Sequence, residues 1–198
     1  MDEVLFDQEE QKLCHRAAEL VSAGDKSYAI FLCHELLQRN PDNLEARQLQ
    51  LNLRKNEIPK TKLQKLVILF QSLVKLVFFS FQFKKKKKEC FVALDALLDV
   101  YLKWEMIWRL MSRLAIQLEY FNTTVFCIEN IDQNRRKVSD IIRLGEAYLG
   151  CGHFAGAVEV ANFILDRDPE NIKARDLLWQ SSIDDTLEKQ DSVGVSPK

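Results

Sequence analysis

The chain has 198 residues, with 28 Lys or Arg against 29 Asp or Glu, and 47% of its residues are hydrophobic. A net charge of −1 argues against a general nucleic-acid-binding protein, and the length suits one domain or one short repeat array with a buried core. Six Gly and four Pro, with no sustained two-residue alternation of apolar residues, favour an all-α protein.

Residues 10–43 predict the first pair of antiparallel helices. Gly24 marks the turn between them, and the sequence NPDN ends the second helix because Pro41 cannot continue it. Apolar and small residues recur on one side of each helix, which is the spacing of two helices that pack together. The positions that define this pair are Leu13, Ala17, Leu20, Gly24, Ala29, Cys33 and Pro41.

Residues 44–69 predict a helix, LEARQLQLNLRKN, followed by an extended linker around Pro59. Residues 70–103 then predict a second, degenerate helix pair, with the run Lys84, Lys85, Lys86, Lys87, Lys88 at the turn between its helices. The polar residues Gln71, Lys75 and Gln82 form one narrow line on an otherwise apolar helix. This pattern favours a packed array helix that exposes one thin edge to water.

The apolar stretch before the lysines also raises two membrane alternatives. Lys75 lies at the centre of the stretch, and a lysine there costs about 2.5–3.5 kcal/mol on insertion into a bilayer, which argues against a spanning helix. Residues 54–88 contain eleven Lys or Arg and one acidic residue, so attachment to an anionic membrane surface remains an alternative.

Residues 104–137 and 138–171 predict the third and fourth helix pairs. The third is degenerate, because it lacks glycine at its turn and proline at its end. The fourth has GCGHF at its turn and DPEN at its end, so that it mirrors the first pair. Residues 172–189 predict a capping helix, and residues 190–198 a disordered tail.

The fourth pair resembles the tetratricopeptide repeat, a helix pair of 34 residues with small residues at the crossing of its two helices. The residues that carry this resemblance are Ile141, Leu144, Gly145, Tyr148, Ala157, Ala161 and Pro169. The resemblance extends over nearly the whole chain, which is similar to the short bacterial proteins of this family. It implies a right-handed α-α superhelix, or solenoid, of about four helix pairs with a C-terminal capping helix.

In this family the first helix of each pair lines a concave groove that binds a peptide or helix of another protein. The resemblance therefore implies these groove candidates: Lys75, Phe79, Gln82, Trp108, Arg109, Ser112, Ile142, Arg143 and Glu146. Members that bind chaperone tails hold a C-terminal carboxylate with Lys and Asn, whereas the corresponding residues here are Trp108, Ser112, Ile142 and Glu146. This difference argues against chaperone-tail binding.

No sequence motif indicates an enzyme, and we expect no cofactor and no small-molecule substrate. The doublets Cys14-His15 and Cys33-His34 could suggest zinc, but their spacing matches no common zinc pattern, and we expect no metal site. The five cysteines are predicted to be reduced and mostly packed thiols.

The sequence therefore predicts a non-enzymatic scaffold or adaptor that binds a partner protein, and the acidic start of the chain, unlike an export leader, favours a cytoplasmic location. Two alternatives remain at this point. One is a peripheral membrane scaffold that uses the basic block 54–88. The other is a chaperone of the kind that serves type III secretion.

Overall fold

The computed structural model describes residues 2–55, 70, 86–98 and 104–194, with side chains described in 9–55, 70, 86–98 and 104–186. Within these ranges the chain is all-α, as predicted, with one short 3-10 turn and no strand. The helices are α1 (Asp2–Ser22), α2 (Lys26–Arg39), α3 (Leu44–Lys55), α4 (Lys87–Leu98), α5 (Glu105–Gln117), α6 (Phe121–Glu129), α7 (Val138–Gly150), α8 (Phe154–Leu165) and α9 (Ile172–Gly194).

Helices α1 and α2 form the first antiparallel pair. Gly24 at the turn has a φ of +89°, a left-handed conformation that glycine adopts at little cost. Asp25 then caps α2, since its carboxylate accepts a hydrogen bond from the backbone N–H of Tyr28 at 3.1 Å. The two helices approach closely because Ala17 and Ala29 are fully buried where they cross.

Helix α3 packs against both α2 and α1. It begins after Asn43, whose side-chain oxygen accepts the N–H of Ala46 at 2.9 Å and so satisfies one of the free donors of the first turn. The predicted helix at the start of 44–69 is therefore present as α3, and its last described residue is Lys55.

The largest core cluster joins α3, which ends at residue 55, to helices that follow residue 86 in the chain. Leu51 of α3 belongs to the same cluster as residues from α4, α5 and α6. Two edge-to-face aromatic pairs stabilise it, Phe91 with Tyr120 and Trp108 with Phe126, whose ring centroids lie 5.3 and 5.8 Å apart. The two halves of the described chain thus share one core.

A buried arginine connects these halves further. The guanidinium of Arg47, in α3, donates to a carboxylate oxygen of Asp95 in α4 at 3.0 Å and to Oγ1 of Thr123 in α6 at 2.9 Å. It also donates to the carbonyl of Pro41 at 2.7 and 2.9 Å and lies 5.1 Å above the ring of Phe91. Its charge is therefore compensated by fixed partners on three segments of the chain.

Asp42 makes the same connection at the start of α6. Its carboxylate accepts the backbone N–H of Thr123 at 2.7 Å and of Asn122 at 3.2 Å. Tyr120, the residue before α6, makes no capping hydrogen bond with its side chain. A residue about eighty positions earlier thus supplies the N-cap of this helix.

Helices α7, α8 and α9 form the C-terminal end, where each packs on the next and α9 also contacts α7. Gly152, with a φ of +74°, makes the turn between α7 and α8. A Cβ at Gly145 would collide with the end of the Leu177 side chain in α9 and touch Val160 in α8, so any larger residue there requires Leu177 to shift.

The structure changes two predicted boundaries. Helix α1 begins at Asp2 rather than near residue 10, and α9 continues to Gly194, five residues beyond the predicted end at 189. No proline interrupts the chain between Pro169 and Pro197, so nothing stops α9 at 189. Residues 190–194 are therefore helical, and residues 195–198 of the predicted tail lie outside the described residues.

Several predictions for residues 56–85 concern residues outside the described ranges, among them Lys75, Phe79, Gln82, Lys84 and Lys85. The described end of the lysine run is Lys86, before α4, with Lys87 and Lys88 in the first turn of that helix. Within the described ranges, every helix is too short or too polar to cross a bilayer.

Candidate protein-interaction face

A cluster of charged side chains connects α5 to α7. Asp140, in the first turn of α7, is fully buried and accepts a hydrogen bond from Nε of Arg109 in α5 at 2.9 Å. It also accepts from Nη1 of Arg143 at 3.3 Å, and the same nitrogen donates to Oγ of Ser112 at 3.2 Å. One buried carboxylate thus holds two arginines in fixed positions.

Two further contacts fix Arg109. It donates to the carbonyl of Arg135 and lies 3.5 Å from a carboxylate oxygen of Glu105, which also pairs with Arg135 at 3.0 Å. Because the guanidinium is held from several sides, it loses little additional freedom when another group binds to it.

The carboxyl of Asp140 stays ionised at neutral pH. Burial raises its pKa, but the hydrogen bonds from Arg109, from the backbone N–H of Lys137 at 3.1 Å and from Arg143 outweigh burial and hold the pKa below its usual range. Burial lowers the pKa of the Arg143 guanidinium, which nevertheless remains charged.

Three of the predicted groove residues are buried in the described structure, and their contact with a partner stays a prediction. Trp108 is 3% exposed and packs edge-to-face against Phe126. Ser112 is fully buried, and Ile142 packs in a cluster with Ile164 of α8. The physical reason is that α5 and α7 each contact several other helices. Residues that would face solvent on an isolated helix pair therefore lie between helices here.

The other described candidates are accessible to different degrees. Arg109 and Arg143 are partly buried, and Glu146 is exposed on α7. The structure brings Arg109, Ser112 and Arg143 together around Asp140, whereas Glu146 lies one turn further along α7. Asp140 was not among the predicted residues, because an acidic residue in the first turn of a helix is usually explained as a local cap.

The exposed stripe of α5 was also missed by the sequence analysis. Met106 is 62% exposed, Leu110 is 36% exposed, and Arg113 follows them on the same side of the helix. The spacing of four and three residues is visible in the sequence, on the side of the helix opposite the buried residues Trp108 and Ala115. We call Met106, Leu110, Arg113, Arg143 and Glu146 the α5–α7 face.

A cleft of about 520 Å³ lies between the end of α3 and the start of α5, and none of the residues of the α5–α7 face lines it. Its lining combines the apolar side chains of Leu51 and Trp108 with charged and polar groups, including Glu105 of the cluster described above. The cleft therefore lies on a different side of α5 from Met106 and Leu110.

The cysteines are consistent with packed thiols. Cys14, Cys33, Cys90 and Cys127 are buried, and Cys151 is exposed. Burial raises the pKa of Cys33 to about 11 and that of Cys127 to about 12, so both remain protonated at neutral pH. Within the described residues, no group of three or more His, Cys, Asp or Glu side chains is placed to hold a metal ion.

No known protein family profile matches the chain, and no curated protein matches it. Among solved structures, a MamA protein matches with a TM-score of 0.48 and 13% identity, over 91% of this chain and 85% of that chain. A thermophilic TPR protein of Thermus thermophilus matches with a TM-score of 0.42 and 15% identity, over 88% and 99% of the two chains. A tetratricopeptide repeat protein of Parabacteroides merdae matches with a TM-score of 0.45 and 13% identity, over 89% and 77%.

These likenesses are too distant to transfer any residue's role. The fold assignment comes from the chain's own helices: α5, α7 and α9 begin at residues 105, 138 and 172, about one 34-residue repeat apart. Each of α5 and α7 is followed by an antiparallel partner and also contacts the next first helix of the array. The described chain is an all-α, tetratricopeptide-like protein.

Proposed function

We propose that this protein is a non-enzymatic scaffold that binds a peptide or helix of a partner protein on the α5–α7 face. The observation that carries the proposal is the exposed apolar pair Met106 and Leu110, which lies beside arginines fixed by a buried carboxylate. Exposed apolar side chains bordered by charge are typical of a surface that binds protein.

The surface suggests the chemistry of the partner. Met adapts its shape to different apolar side chains, and Arg binds carboxylates with two parallel hydrogen bonds. A segment with apolar residues on one side and an acidic residue next to them would therefore fit Met106, Leu110 and Arg113. An amphipathic helix presents such a pattern at spacings of three and four residues.

A photo-crosslinking amino acid placed at Leu110 tests this proposal in cells. The matched control is the same amino acid at Phe31 of α2, which is 59% exposed and lies on another helix. We expect a discrete crosslinked protein with the probe at Leu110 and none of the same mass at Phe31.

The charge reversal Arg113→Glu should then reduce the yield of this crosslink without changing the circular dichroism spectrum of the protein. An equal yield with and without Arg113→Glu, or the same product at Phe31, would contradict binding at the α5–α7 face. The identified partner segment should carry an acidic residue beside its apolar residues.

Attachment to anionic membranes is the second candidate. Lys88 and Val92 are both exposed, one turn apart in α4, so the described end of the basic block combines positive charge with an apolar side chain. Flotation with phosphatidylserine-containing vesicles tests it. This candidate requires that the wild type floats and that a variant with Ser at residues 84–88 does not. We place the scaffold in the cytoplasm, and the secretion-chaperone alternative has no additional support from the described residues.

A further inference from the structure

The arginines between α5 and α7 differ in how many of their nitrogens the protein itself already binds. Nε of Arg109 donates to Asp140 at 2.9 Å. Its two Nη atoms contact a carboxylate oxygen of Glu105 and the carbonyl of Arg135. Every nitrogen of Arg109 therefore has a partner within the chain, and this residue connects helices rather than offering a free edge of its guanidinium.

Arg143 is held from one side only. Its Nη1 donates to Asp140 at 3.3 Å and to the hydroxyl of Ser112 at 3.2 Å, whereas its Nε and Nη2 make no hydrogen bond with any described residue. Neither of these two nitrogens is among the polar atoms that are fully buried without a partner in the described ranges, so both reach the surface. Nε and Nη2 form the edge with which a guanidinium binds a carboxylate through two parallel hydrogen bonds. Arg143 thus presents this edge in a fixed position.

Arg113 supplies a second guanidinium beside Arg143. It is exposed, it makes no hydrogen bond or ion pair with a described residue, and it follows Ser112, whose hydroxyl accepts from Arg143. Burial lowers the pKa of Arg143, and the positive charge of Arg113 lowers it further, while Asp140 and Glu146 act in the opposite direction. The fold therefore holds two like charges near each other, and no described acidic side chain bridges them.

We propose that Arg113 and Arg143 together bind one carboxylate from inside the partner segment, the side chain of an Asp or Glu. The cluster contains these four arginines and three acidic residues, and so has one positive charge in excess. A carboxylate neutralises this excess, whereas a phosphate group, with a charge of about −1.5 to −2, would exceed it. The inference rests on the proposed function and identifies the two residues that select an acidic partner.

The carboxylate belongs to a side chain inside the segment, because the face continues on both sides of the two arginines. Leu110 lies about one turn before Arg113 on α5, and the exposed Gln117 lies about one turn after it. A segment that packs its apolar residues on Met106 and Leu110 therefore runs past Arg113. A carboxylate at the end of a chain would leave the surface around Gln117 uncovered.

Selection from a library of random peptides displayed on phage, with the full-length protein as the target, tests the inference. Peptides fused through their C-terminus to the coat protein have no free terminal carboxylate, so an acidic preference comes from side chains. We expect the selected peptides to share two apolar residues three or four positions apart and an Asp or Glu at a fixed spacing from them. Their binding should be lost in Met106→Asp, because this substitution places a charge in the apolar part of the face.

A selected sequence is then synthesised as an acetylated and amidated peptide, once with its acidic residue and once with the corresponding amide. Fluorescence anisotropy measures both dissociation constants, and the wild type should bind the amide peptide at least about tenfold more weakly. Arg113→Ala and Arg143→Ala should each reduce this ratio, and the double variant should bring it to about one. Arg175→Ala, which removes an exposed arginine of α9, is the matched control and should leave the ratio unchanged. A loss of folded protein would weaken both peptides equally and would not change the ratio.

The outcomes separate this inference from the proposed function. Selected peptides that depend on Met106 but show no acidic preference, or an unchanged ratio in the double variant, would overturn the inference alone. A library that yields no peptide dependent on Met106 would overturn the proposed function and the inference with it. Tighter binding of a peptide that ends in a free carboxylate at the same position would overturn the side chain as the source of the carboxylate.

Discussion

Two segments of this chain have nearly the same sequence but different environments. Residues 41–47 read PDNLEAR and residues 169–175 read PENIKAR. In both, the asparagine caps the next helix: Asn43 accepts the N–H of Ala46 at 2.9 Å, and Asn171 accepts the N–H of Ala174 at 3.2 Å. The turn and the start of the helix are therefore local properties of the segment.

The charged residues of the two segments behave differently. The side chain of Arg47 is 3% exposed and connects three parts of the chain, whereas that of Arg175 is 53% exposed and pairs with Glu170 beside it. Asp42 caps α6, while Glu170, at the corresponding position, is largely exposed. The same arginine is a buried structural residue in one copy and a surface residue in the other, and only the surrounding helices differ.

The largest expected effect is that of Arg47→Ala. Removal of the guanidinium leaves the carboxylate of Asp95 without its arginine partner, while the carbonyl of Pro41 keeps the hydroxyl of Thr123 as a donor at 3.0 Å. Loss of one member of a buried ion pair costs about 3–5 kcal/mol. Urea denaturation followed by circular dichroism should show this decrease in the free energy of unfolding. A loss below about 1 kcal/mol would mean that Arg47 does not connect the two halves.

At the second segment, the following helix is held by apolar packing rather than by a buried charge. Gly145→Leu would force a side chain into the space of Leu177, and overpacking of this kind costs about 1–3 kcal/mol. The control is Ser139→Leu, which adds the same side chain at an exposed position of α7. Equal melting temperatures for the two variants would show that α9 does not pack closely at Gly145.

Asp42→Ala should have a smaller effect than either of these. The substitution removes the cap of α6, and loss of an N-cap costs about 1 kcal/mol. Glu170→Ala, at the matching position of the second segment, removes no cap and should leave the free energy of unfolding nearly unchanged. Amide hydrogen exchange of Asn122 and Thr123 should become faster in Asp42→Ala only.

The smallest effect is expected for Arg175→Ala. Its pair with Glu170 is exposed to solvent, and such pairs contribute less than about 1 kcal/mol. Urea denaturation of Arg175→Ala and of Arg47→Ala therefore compares the loss in free energy of unfolding for the same substitution in the two segments. Similar losses in both variants would contradict the difference in environment between the two segments.

Much of the fold could be predicted from the sequence, because helix spacing, glycine turns and caps depend on neighbouring residues. The all-α class and the tetratricopeptide-like helix pairs were predicted correctly from such patterns, as the pairs α1–α2 and α7–α8 illustrate. The groove residues stay a prediction, and the structure shows only how exposed each described one is. Arg109, Arg143 and Glu146 reach the surface to some extent, but Trp108, Ser112 and Ile142 are buried, because the pattern of one helix does not reveal how many neighbours it has.

The sequence by itself determined where helices begin and turn: Gly24 and Gly152 adopt left-handed conformations, and Asn43 and Asn171 cap the helices that follow them. The tertiary structure alone decided the environment of each charged residue. Asp140 meets Arg109 across 31 positions, and Arg47 meets Thr123 across 76. Such distant pairs depend on how the helices stack. When stacking buries a charged side chain, it requires an opposite charge or hydrogen-bond partners, which only the neighbouring helices supply.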